Sequence, residues 1–139
     1  MGGCATSVQR LKRDLNRVVQ QLNSIPEKNG EVQDYKLFYE TSEQLTAVCV
    51  DSEFAMDTLK DLLMTGEHVA TRAAAAETIG FIGIRNDALV LIHALRDESS
   101  FVRERTQRAL ERLTKEDYGN NSDAWLLWWN KETSSHAGK

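Results

Sequence analysis

The side chains that could do chemistry here are few: His68, His93 and His136, Cys4 and Cys49, the tryptophans Trp125, Trp128 and Trp129 of "DYGNNSDAWLLWW" (117–129), and an arginine stripe, Arg105, Arg108 and Arg112. A zinc-type centre needs His, Cys or carboxylate ligands at short, fixed spacing. The three histidines have no partner at such spacing, and "EH" at 67–68 occurs once. No Gly-rich run is present to cradle a phosphate. The expectation is therefore no catalytic residue, no metal and no cofactor. Cys49, inside "LTAVCV", reads as a small core residue. The arginine stripe, at i, i+3 and i+7, is partly neutralised by the i, i+4 pairs Glu104–Arg108 and Glu111–Lys115. It is the best candidate for a partner surface, against the plainer reading of a solvated face.

The amino terminus offers a different chemistry. "MGGCATS" carries Gly2 and Thr6 at N-myristoylation spacing, with Cys4 open to palmitoylation. It also resembles the cleavage region of bacterial lipoproteins, with Cys4 as first mature residue, a version that needs an apolar segment upstream. A lipid there would precede a basic helix suited to an anionic membrane surface. The resulting expectation is a membrane-associated cell-envelope lipoprotein, with a cytoplasmic protein and an ordinary flexible terminus (1–6) as the alternative.

These residues need a scaffold, and 139 residues suffice for one domain with a real core. One proline and eight glycines suit long helices. A net charge of −4 disfavours sequence-independent nucleic-acid binding. The charge is segregated: residues 1–26 hold four basic side chains against one acid, residues 27–67 ten acids against three lysines, and residues 68–139 ten of each.

Val8, Leu11, Leu15, Val18, Leu22 and Ile25 step by 3 and 4, the a/d seam of an amphipathic helix. Ser7 is its expected N-cap, and Pro26 and Asn29-Gly30 its terminators. The seam is expected to pack on the rest of the domain, with a homodimer through 8–25 as the alternative. A second helix is expected over 31–49 and a third over 53–64, closed by Gly66.

From there the chain repeats. "LKDLL" (59–63) overlays "LVLIH" (89–93) at an offset of 30, and "TRAAAAETIGFI" (71–82) overlays "VRERTQRALERL" (102–113) at 31. Arg72 matches Arg103, Ala75 matches Thr106, and Ile79 matches Leu110. Two helical hairpins at this period point to an α-solenoid. The run "ALRDESSFVRERTQRALERLT", an acidic turn followed by a hydrophobic-Arg pair and an apolar helix, resembles a HEAT repeat. The Trp-rich ending is similar to that of bacterial HEAT proteins. "LLMTGEHVATRAAAAETIGFIG" departs from the pattern, with Gly66 where the second unit has Asp97. The resemblance implies that Arg72 and Arg103 reach turn carboxylates, Asp97 for Arg72 and Asp87 or Asp97 for Arg103. It carries neither the paired His-Glu dipeptides of iron-holding helical-repeat enzymes nor the basic concave face of helical-repeat glycosylases.

The last unit of such a stack has an open apolar side. Trp125, Trp128 and Trp129 fall on one helical face after Ser122, a plausible N-cap, and are expected to cover it, with Trp125 and Trp129 buried and Trp128 more exposed. The competing role is an aromatic platform for a base, sugar or peptide. The expected fold is all-α: an N-terminal helical pair (7–49), two HEAT-like repeats (53–115) and a Trp cap helix (122–132) within one domain, 7–133, followed by a disordered tail, 134–139. The expected function is a non-catalytic protein-binding adaptor; the alternative is a helical-repeat enzyme or accessory subunit binding a small ligand or nucleobase.

Overall fold

A computed structural model describes the backbone of residues 3–137 and the side chains of residues 7–135. The chain is all-α apart from one small hairpin. Its order is α1 (Gly3–Asn23), β1 (Glu27–Lys28), β2 (Glu31–Val32), α2 (Tyr35–Cys49), α3 (Ala55–Thr65), α4 (Val69–Ile82), a 3-10 turn (Arg85–Asp87), α5 (Ala88–Ala94), α6 (Ser100–Thr114) and α7 (Ser122–Ala137). No helix among the described residues is long and apolar enough to cross a membrane.

The architecture turns on α4. It packs against α1, α2, α3 and α6, and Val69 through Gly80 are all buried. Its sequence shows why: Ala73–Ala76 and Gly80 make a thin helix that neighbours can approach closely. A Cβ on Gly80 would lie 2.7 Å from both Cα and Cβ of Ala109, so the α4–α6 crossing requires that glycine. Around this axis α1 packs on α2, α3 on α4, α5 on α6, and α7 on α5. Leu15, Val18, Leu22 and Ile25 of the α1 seam all sit in the common core. Those four side chains are thus packed within the chain's own core.

Several local expectations are corrected. The first helix starts at Gly3, ahead of Ser7, because nothing between Cys4 and Asn23 breaks a helix. The second starts at Tyr35, capped by Asp34, whose carboxylate accepts from Leu37 N (3.0 Å). Residues 27–32 instead form an antiparallel hairpin, with Asn29 (φ 53°) and Gly30 (φ 77°) as its two-residue turn. Positive φ at both positions is what a type I′ turn demands and what Asn-Gly supplies. The cap of α7 is Asn121, whose Oδ1 accepts from Ala124 N (3.0 Å), while Ser122 Oγ accepts from Arg96 Nε (3.1 Å). That helix runs on through Ala137.

The tryptophan face is real but rotated. Trp125 is fully buried and its Nε1 donates to Gly119 O (2.9 Å). Tyr118 and Trp128 meet it edge-on, at centroid separations of 4.9 and 5.8 Å. Trp128, at 8% exposure, is buried, and Trp129 is only partly so, the reverse of the expected order. Arg85 stacks over Trp128 (5.5 Å) and reaches Glu132 (3.6 Å), which draws the 128 side of the helix inward.

Candidate functional site: the α2–α4–α6 face

The arginines that recur in the two units make one equivalent bond each. Arg72 Nη1 donates to Gly66 O (2.9 Å) and Arg103 Nη1 to Asp97 O (2.7 Å), in both cases the carbonyl six residues earlier. Arg72 also forms a two-pronged bond with Asp97, Nε to Oδ2 (2.8 Å) and Nη2 to Oδ1 (3.1 Å). This joins the start of α4 to the turn before α6 through a planar fork. Asp97 completes its set by accepting from Ser99 N (2.9 Å). Arg103 has no carboxylate partner among the described residues: Asp87 is held by Lys60 (2.9 Å) and Ile84 N (2.9 Å), and Asp97 faces Arg72. The departure at Gly66 is also explained, since a Cβ there would lie 2.6 Å from Leu62 O.

The hairpin closes the same end of the molecule. Glu27 accepts from Val69 N at the start of α4 (3.1 Å) and lies 3.6 Å from His68 Nδ1. Ser99 Oγ donates to Gly30 O (2.6 Å), and Ser100 bonds Glu31. Two carboxylates therefore sit at the positive ends of α4 and α6, where the helix dipoles favour them. This cluster is a clamp, with each group committed to another.

The arginine stripe does not stay together. Arg105 is buried and held through its two Nη atoms: it donates to Tyr39 Oη (2.9 Å) and Glu104 (2.8 Å), lies 3.6 Å from Glu77, and sits over Tyr39 and Phe101 at 5.7 and 5.6 Å. Arg108 is exposed beside Glu104 (3.5 Å). Arg112 lies over Phe81, its Cζ 3.8 Å from the ring centroid. A continuous basic strip is replaced by a mixed surface on which α2, α4 and α6 meet, with Phe38 also touching Phe101 edge-on (4.9 Å). Beside Arg105 a cavity of about 340 Å³ is lined by Tyr39, Ser42, Glu43 and Thr46 of α2 and by Glu77 and Phe81 of α4. Tyr39 and Phe81 expose 41% and 56% of their surface there. Thr46 and Thr78 hydroxyls, 3.0 Å apart, stitch the two helices at its base.

Spacing alone missed Tyr39, Glu77 and Phe81. A signal for Glu77 existed: it is the one charge inside the apolar run 73–84, and a lone buried carboxylate needs a reason. Among the other reactive candidates, Cys49 is fully buried and its thiol is pushed up to about 11 by burial, which keeps it protonated near neutrality. His93 is exposed on α5. No group of three or more His, Cys, Asp or Glu side chains suited to a metal gathers among the described residues. Gly2 and the side chains of Cys4 and His136 lie outside the described residues, and the lipid-attachment reading lies there with them. The chain matches no protein family, and neither a curated protein nor a solved structure is significantly similar to it.

Proposed function

We propose that this chain is a non-catalytic adaptor, a short HEAT-like α-solenoid that holds a protein partner on the face where α2, α4 and α6 meet. The observation that carries the reading is the pair of open aromatic rings, Tyr39 and Phe81, set on either side of a cavity. Around them the charged groups Arg105, Glu104 and Arg112 are held in place by one another and by the rings. Rigid aromatic anchors beside a pocket, rimmed by charge, are what protein interfaces use for most of their binding energy. The repeat reading draws support from the matched bonds of Arg72 to Gly66 O and Arg103 to Asp97 O.

Site-specific photocrosslinking in the native cell tests this. A benzophenone amino acid at position 81 is expected to give a discrete protein adduct. The same group at exposed Met64 or Leu127, on other helices, is expected to give none. Adducts at 64 or 127 with none at 81 would move the binding surface elsewhere.

A further inference from the structure

We propose that the cavity between α2 and α4 receives a cationic side chain, an arginine or lysine of the partner; this rests on the reading of the α2–α4–α6 face as the partner surface. The polar groups that line the cavity are two carboxylates, Glu43 and Glu77, and two hydroxyls, Ser42 and Thr46, and no basic side chain lines it. Glu77, with its side chain 11% exposed, has the Arg105 ion pair and no hydrogen bond among the described residues. Its nearest partner, Arg105 Nη1, stands off at 3.6 Å, because that guanidinium is drawn to Glu104 at 2.8 Å and to Tyr39 at 2.9 Å.

A buried carboxylate is stable only with donors close by. Arg105 meets Glu77 from one side at 3.6 Å, and Glu77 also lines the cavity. Thr46 cannot supply a donor, since its hydroxyl is engaged with Ser42 O (3.2 Å) and Thr78. Glu43, exposed at the mouth, adds a second negative charge without a salt-bridge partner among the described residues. Tyr39 and Phe81 supply aromatic walls, which attract ammonium and guanidinium groups. The flanking cations, Arg105 behind Glu77 and Arg112 over Phe81, are not part of the lining, which carries two carboxylates and no base. A donor-rich cation satisfies Glu77 and Glu43 together, whereas an anion would meet two carboxylates.

The test is selection of a displayed random-peptide library on the whole protein, followed by affinities of the recovered peptides for four variants. Peptides that bind this face are expected to be enriched in arginine or lysine. They should weaken on Phe81→Ala or Tyr39→Phe and lose about tenfold or more in affinity on Glu77→Gln or Glu43→Gln. Glu43 is exposed, so Glu43→Gln keeps the test decisive even if Glu77→Gln unsettles Arg105; circular dichroism reports the fold of each variant. Peptides that need Phe81 but show no basic enrichment and ignore both glutamine substitutions would overturn the cation site and leave the face standing. Recovery of no peptide sensitive to Phe81 or Tyr39 would overturn both.

Discussion

At the scale of single residues, the molecule commits its arginines one by one. Arg72 and Asp97, both nearly enclosed, share two parallel bonds, and each has a second partner in Gly66 O or Ser99 N. Removing either member strands a buried charge, which costs about 3–5 kcal/mol, while removing both strands none. Arg72→Ala and Asp97→Ala should therefore each lower the urea midpoint sharply, and the double variant should be far more stable than the two losses summed. Additive losses would mean that the pair does not hold the two units together. This clamp was legible through the resemblance to HEAT repeats, which implied Asp97 as the turn carboxylate for Arg72. The fate of Arg105 was not. Spacing at i, i+3 and i+7 describes a stripe on a cylinder, but it cannot say that Tyr39, 66 residues away, will fold over and capture one member. Trp128 and Trp129 show the same limit, since a shared face leaves the helix's rotation open by the width of one side chain.

At the scale of elements, close helix contact depends on what is absent. Gly80 and Ala73–Ala76 let α6 and α2 approach α4. Gly80→Ala would gain about 1 kcal/mol of helix propensity in isolation. In place, its methyl would sit 2.7 Å from the Cα of Ala109, a backbone atom that can move only with the helix. The expected result is a net loss of about 1–3 kcal/mol in a denaturant titration, and a more stable variant would contradict the crossing. The helices α3 to α6 were readable because the apolar pattern of 59–82 recurs at 89–113. The 27–32 hairpin was not, because two-residue strands leave no alternation to detect, and Asn29-Gly30 served equally well as the stop of α1. Its role appears only in three dimensions, where Glu27 and Glu31 meet the starts of α4 and α6.

At the scale of the whole molecule, one helix links stability to the proposed function. Arg72 near the start of α4 ties the two units, Gly80 sets their spacing, and Glu77 and Phe81 near its end form one wall of the cavity. A partner held there would rest on the most enclosed element of the fold. The all-α class followed from composition and periodicity, but the cavity needed α2, which has no repeat signature. If α4 is the shared axis, it cannot open without the rest. The direct measurement is native-state hydrogen exchange across a denaturant series. Amides of residues 73–79 are predicted to exchange only through global unfolding, with a free energy equal to that of the whole protein, while the first turn of α1 and the last turn of α7 open locally. Exchange of 73–79 at a clearly lower free energy, with α1 and α2 still protected, would contradict the account.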